Sequence, residues 1–100
     1  MHHSKIFLEA IARRQCVAAQ YNRGQVKLAP HILYTRHDEM FVDAVTIERD
    51  GCPPREIKLG SFKLAGLSDV QLGGQSFEPS EVFDPKSPKY EGVALFAVEP

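Results

Sequence analysis

Residues 16–34 read CVAAQYNRGQVKLAPHILY, and this stretch decides the fold. Val17, Ala19 and Tyr21 alternate with Cys16, Ala18 and Gln20. A period of two puts successive side chains on opposite faces of a strand. Asn22-Arg23-Gly24 is a turn signal, because Asn and Gly tolerate the backbone angles a tight turn needs. Val26 and Leu28 then resume the alternation. Pro30 has no N–H to give to a ladder, so it belongs at an edge or a bulge. Ile32, Leu33 and Tyr34 carry the strand past it. Two strands joined by a tight turn are a hairpin, and the rest of the chain continues the theme.

Downstream, His37-Asp38-Glu39 reads as the next turn, and Met40 to Glu48 as a β-rich run containing Phe41, Val42, Val45, Thr46 and Ile47. Asp50-Gly51-Cys52-Pro53-Pro54 is a further strong turn. Arg55, Ile57 and Leu59 alternate with Glu56 and Lys58, which predicts a strand with one wet face. The apolar run Phe62 to Leu72 is broken by Gly66, where a bulge is expected. Gly73-Gly74 is expected to end the regular part. Phe77 to Phe83 predicts a short turn of helix, with Pro79 near its first position. Residues 84–91 contain two prolines and read as irregular. Gly92 to Val98 is a last apolar run, either a closing strand or an edge strand that pairs with a second copy.

Upstream the period changes. Phe7 and Ile11 are four apart, as are Leu8 and Ala12, which makes one apolar face of a helix. Ser4 can cap it, and Arg13 and Arg14 suit its C-terminal dipole. Residues 4–14 are therefore read as a helix. Together these elements predict one mainly β domain over 1–100. A small barrel or curled sheet occupies about residues 15–72, an N-terminal helix covers it, and a C-terminal extension follows from about 73 to 100.

Composition narrows the function classes. The chain has 100 residues, 43% hydrophobic and 25% charged, with a formal net charge of -1. A non-specific nucleic-acid binder usually carries a basic excess, so any nucleic-acid site here has to be a local patch. Cys16 and Cys52 make neither a disulfide framework nor a zinc site, and both are expected reduced and mostly buried. No apolar run approaches the ~20 residues that span a bilayer, and no signal-peptide stretch follows Met1, so a cytoplasmic address without membrane partners is expected. His2 and His3 are adjacent, which is not in itself a metal site. His31 and His37 are six apart along an extended segment, roughly 20 Å, too far to share an ion. There is no Walker loop, GxGxxG, GxSxG or HExxH. No catalytic residue, metal site or cofactor is expected, and the chain is read as a binder rather than an enzyme.

The cations are more informative. Arg23 and Lys27 flank the first turn, Arg36 ends the next strand, and Arg55 and Lys58 follow the Pro-Pro turn. On one face, beside Tyr21, Tyr34 and His31, they would make the cation and aromatic mixture of a single-strand or nucleotide platform. On separate faces they are scattered surface charge.

At these residues the chain resembles the WYL domain family. The helix Leu8-Glu9-Ala10-Ile11-Ala12-Arg13-Arg14 leads into a strand ending in Tyr21, and Pro30-His31-Ile32-Leu33 is similar to the family's Pro-His/Tyr-x-Leu step. Arg55-Glu56-Ile57-Lys58-Leu59-Gly60-Ser61-Phe62 is similar to its Arg-x-Phe-Arg-Leu-Asp-Arg-Ile, and Phe77-x-Pro79 fits its ending. The naming triplet falls at Met40-Phe41-Val42, where only hydrophobicity is kept, and Ser61 and Lys58 stand where the family has Arg. The likeness covers about residues 6–83. It implies an SH3- or Sm-like β-barrel. It also implies a ligand-sensing or nucleic-acid-binding role in bacterial transcription regulation. Such modules usually carry a helix-turn-helix. Only about a dozen residues precede the first strand here, so a separate DNA-binding partner is expected. The family pocket maps onto Tyr21, His31, Arg55 and Lys58. Arg55 would fork onto a phosphate and Lys58 would add a point charge. Tyr21 would supply a ring face, and His31 a switchable donor. Single-stranded nucleic acid, a nucleotide or another anionic ligand is the implied partner. The alternative is a protein-interaction domain, a homodimer formed through Val93 to Val98.

Overall fold

The computed structural model describes residues 3–98; His2 lies outside them. The helix α1 (Ser4–Arg13) comes first, followed by the strands β1 (Gln15–Tyr21), β2 (Gly24–Arg36), β3 (Glu39–Arg49), β4 (Leu59–Lys63), β5 (Ser68–Ser76) and β6 (Ala94–Ala97). All pairings are antiparallel. The sheet runs in the order β4-β3-β2-β1-β5, and β6 adds to the second half of β2. Among the described residues, β4 and β5 at its two ends are not paired with each other. The chain is thus mainly β with an N-terminal helix and an open antiparallel sheet.

Three tight turns set the register. Asn22 and Arg23 (φ 50° and 63°), His37 and Asp38 (52° and 64°), and Asp50 and Gly51 (51° and 82°) all adopt left-handed backbone. Positive φ at both central residues is the type I′ turn, whose twist matches that of the flanking strands. Tyr21 accordingly pairs with Gly24, Arg36 with Glu39 and Arg49 with Cys52. The expected turns are all present. Pro30 also sits where expected: the β2–β3 register slips between Pro30 and Ile32. On its other flank, β2 passes from β1 to β6 in the same region, since Leu28 pairs with Val17 and Ile32 with Ala97.

Other expectations fail where neighbouring elements, not the local sequence, decide the backbone. Arg55 to Lys58 are not strand; the β3–β4 ladder starts only at Val45–Leu59. Two prolines upstream remove ladder donors, and Ile57 stays 66% exposed with no face to bury against. Gly66 closes a 3-10 turn, Leu64–Gly66, instead of marking a bulge. Gly73-Gly74 do not end the regular part, because β5 runs through them to Ser76. A Cβ at Gly73 would lie 2.9 Å from the Cys16 carbonyl, so the missing side chain is what lets β5 close on β1. Phe77 to Phe83 form no helix. Phe77 and Phe83 both turn onto His31, at 5.1 and 5.3 Å between ring centroids, which keeps the chain between them unwound.

The main apolar core joins the helix, the sheet and the C-terminal segment, and a smaller cluster of Cys16, Ala29 and Val45 lies apart from it. Phe7, Ala10 and Ile11 of α1 pack with Val17, Leu28, Leu33, Val42 and Phe62 of the sheet and with Phe83, Tyr90 and Val98 of the C-terminal segment. The helix ends at Arg14, which is left-handed (φ 56°) and donates its N–H back to the last turn. Its face carries the expected Phe7 and Ile11. Cys16 is buried, and Cys52, contrary to expectation, is exposed. No described helix is long and apolar enough to cross a membrane.

Candidate functional site

Of the four residues singled out in the sequence, Arg55 and Lys58 come together. They lie in the exposed loop after the Asp50-Gly51 turn and line one surface groove with Thr46, Arg49, Asp50, Glu56 and Gly60 among others. The turn is fixed by two bonds between Arg49 and Cys52, N to O in each direction, at 2.8 and 3.0 Å. It is tied to β2 by Asp50 N to Gln25 O and by Gln25 N to Asp50 Oδ1, both short. Asp50 is therefore committed to the scaffold. Lys58 reaches Glu56 at 3.5 Å, both well exposed, and such a pair is worth little in water. Arg49 and Arg55 form no ion pair among the described residues.

Tyr21 and His31 do not line that groove. Tyr21 is half-buried, edge-on to Phe62 at 5.2 Å. His31 is 0% exposed. Its Nδ1 lies 2.7 Å from the Ala29 carbonyl, and its Nε2 accepts the Ser80 N–H at 2.9 Å. A carbonyl can only accept, so Nδ1 carries the proton and the ring is neutral. Burial holds its pKa below the ordinary histidine value, against the pull of the Ala29 carbonyl. No ring nitrogen is left for a ligand, which corrects the reading of His31 as a switchable donor. In this fold it pins the C-terminal segment to the bulge of β2.

Sequence reasoning missed the best-built polar site. Asp43, in the middle of β3, is completely buried. Its Oδ1 accepts from Tyr34 Oη (2.7 Å) and Ser61 Oγ (2.6 Å). Its Oδ2 accepts from Lys89 Nζ (2.8 Å) and from Tyr90 Oη. Lys89 also donates to Ser61 Oγ at 2.8 Å and sits 5.5 and 5.6 Å from the Tyr34 and Tyr90 ring centroids. Burial alone would raise the Asp43 pKa, but the bonds from Lys89, Ser61, Tyr90 and Tyr34 outweigh it and hold the carboxyl below its ordinary value. Burial, with the Asp43 charge beside it, pushes the Tyr34 phenol up; burial would lower the Lys89 ammonium, but Asp43 outweighs it and raises that group too. One signal was available: an aspartate inside the apolar run Met40 to Ile47, on a strand whose neighbours must be buried. Nothing in the sequence paired it with Lys89, 46 residues away.

No family model, curated protein or solved structure matches the chain significantly. No three His, Cys, Asp or Glu side chains among the described residues are grouped to hold a metal ion.

Proposed function

We propose that the chain is a non-catalytic, WYL-like binding module that takes a phosphate-bearing anion in the groove after β3. Single-stranded nucleic acid or a nucleotide is the ligand. The observation that carries this is the placement of Arg49, Arg55 and Lys58 around one groove. A planar guanidinium can fork onto a phosphate, and the ammonium adds a point charge. The acids that line the groove leave a cationic surplus: Asp50 and Glu56 stand against three cations, Arg49, Arg55 and Lys58, and Glu56 holds Lys58 only through a solvated contact.

The SH3/Sm-like barrel is the finer reading of the fold, and the topology supports it. The helix precedes the strands, and the two end strands β4 and β5 are consecutive in the chain, joined through a 3-10 turn. A sheet whose end strands are so joined must curl. A regulatory role follows from the resemblance and stands as part of this proposal, together with a cytoplasmic address and a separate DNA-binding protein as partner.

The test is fluorescence anisotropy of short labelled single-stranded DNA and RNA at low and moderate salt. The wild type should bind more weakly as salt rises, since each phosphate contact releases counterions. Arg55→Ala and Lys58→Ala should weaken binding and flatten the salt slope, while Tyr21→Ala, whose ring packs on Phe62 and does not line the groove, should not. Absence of binding at ~100 μM protein, within the usual non-specific range, would remove nucleic acid. A second reading is favoured by β6, whose Leu95 and Phe96 are 52% and 40% exposed. Adjacent apolar residues exposed on a short strand suit a contact with a second copy. Light scattering of Phe96→Ser should then report half the mass of the wild type.

A further inference from the structure

Three of the groups around Lys89 Nζ belong to the sheet and owe nothing to the loop that carries the lysine. Tyr34 is on β2, Asp43 on β3 and Ser61 on β4, and the ladder pairs Asp43 directly with Ser61. They present a fully buried carboxylate, a hydroxyl and an aromatic ring, with the ammonium 2.8 Å from both oxygens and 5.5 Å from the ring centroid. A charged acceptor, a neutral acceptor and a π face are the components that recognise an ammonium ion.

Lys89 enters this pocket from outside. It lies on the 3-10 turn Pro88–Tyr90, between the exposed Pro88 and the buried Tyr90. The turn is built from its own local bonds: Tyr90 N to Ser87 O, Glu91 N to Pro88 O and Val93 N to Tyr90 O, at 3.0 to 3.2 Å. The lysine side chain remains 40% exposed, next to a shallow pocket walled by Tyr34, Thr35, Arg36, His37 and Val93. Lys89 is thus a partly exposed member of the cluster, while Tyr90 Oη shares Asp43 Oδ2 from within the core. Holding the segment alone did not require a charge, because Phe83 and Tyr90 already bury their rings in the core, and a buried ion pair is seldom better than an apolar contact for that purpose.

We infer that the Tyr34–Asp43–Ser61 pocket is a binding site for a primary alkylammonium group, filled in this conformation by Lys89 as a ligand in cis. A free amine or a lysine side chain of another protein offers the same chemistry, and either would have to displace Lys89. A flexible tether would act at roughly millimolar concentration, but Lys89 is held on a structured turn already aimed at Asp43, so its effective concentration far exceeds that of the added amines and the wild type stays closed.

The experiment opens the pocket with Lys89→Ala and follows thermal unfolding. Additions are 50 mM propylammonium, putrescine or Nα-acetyl-lysine amide, against tetramethylammonium at matched ionic strength. Primary amines should raise the melting temperature of Lys89→Ala by about 5 °C over tetramethylammonium. The wild type should not respond, and Asp43→Asn/Lys89→Ala should show no difference between amines. The better of putrescine and the lysine amide identifies the source, free polyamine or protein lysine. If Lys89→Ala does not fold in buffer, recovery of its near-ultraviolet dichroism in propylammonium but not tetramethylammonium supports the site. Equal behaviour in all the salts, folded or not, overturns it.

Discussion

Replacing Asp43 by Asn isolates the charge at the centre of the structure. The carboxylate takes four donors on two oxygens, one of them an ammonium. Asparagine keeps one acceptor oxygen and turns an NH2 toward groups that need an acceptor. Breaking a buried ion pair by removing one partner costs ~3–5 kcal/mol. Lys89 is 40% exposed, so water takes up part of its charge and the lower end applies, about 3 kcal/mol. For a domain of this size each kcal/mol moves the melting temperature by ~4–8 °C, which gives a loss of about 12–24 °C. Urea unfolding followed by circular dichroism at pH 7 reads the free energy directly. The pH dependence supplies the check on mechanism. The folded Asp43 pKa lies below its unfolded value of 3.8. Its contribution is therefore complete above pH 3.8 and is lost as pH falls through the folded pKa. The gap between wild type and variant should stay constant from pH 7 to 5 and narrow below 3.8. A gap under ~1 kcal/mol at pH 7, or one that persists undiminished at pH 2, would refute the assignment.

Three further outcomes are expected. The folded His31 pKa is lowered from 6.5, so its contribution is complete above pH 6.5 and falls away as the pH drops below it; His31→Gln should flatten the urea midpoint between pH 7 and 5, and an unchanged slope would show that another group titrates. Gly73→Ala drives a Cβ to 2.9 Å from the Cys16 carbonyl and should cost ~1–3 kcal/mol, read as a lower urea midpoint at constant slope. Arg23 sits at φ 63° in a two-residue turn, so Arg23→Gly should raise stability by ~0.5–1 kcal/mol once the glycine's larger unfolded-state entropy is deducted; a loss would mean that the arginine side chain makes a contact that matters.

The sheet was legible because its information is local. Alternation in Val17-Ala18-Ala19-Gln20-Tyr21 and the pairs Asn22-Arg23, His37-Asp38 and Asp50-Gly51 each specify structure within a few residues. The places where that reading failed are those decided by tertiary contact. Alternation over Arg55 to Leu59 was real, but no strand lay beside its first half. Phe77 to Phe83 was expected as a short turn of helix with Pro79 near its start, yet only the turn from Ser80 O to Phe83 N forms, and the bond from Ser80 N to His31 and the two phenylalanine rings on His31 hold the chain out of a helix. The same limit hid the polar centre: Tyr34, Asp43, Ser61, Lys89 and Tyr90 come from four strands or turns, and no spacing rule joins them. Arg55 and Lys58 could be grouped in advance because one loop carries both.

The two candidate sites share β3 and β4, which raises the question of whether they act independently. Ser61 serves the Asp43 pocket and its neighbour Gly60 lines the cationic groove. Yet Arg49 and the turn that follows it are positioned from the other side. The Arg49–Cys52 pair and the two bonds between Asp50 and Gln25 fix the turn to β2 without any contribution from β4. Loosening Ser61 should therefore leave the turn in place, and anion affinity in Lys89→Ala should match the wild type within about twofold, less than one good hydrogen bond. Gln25 donates to Asp50 only through its backbone, so Asp50→Ala is the variant that frees the turn. It should weaken anion binding although it removes a negative charge beside the groove. Tighter binding in Asp50→Ala would mean that the local potential, and not the geometry of the turn, governs the groove.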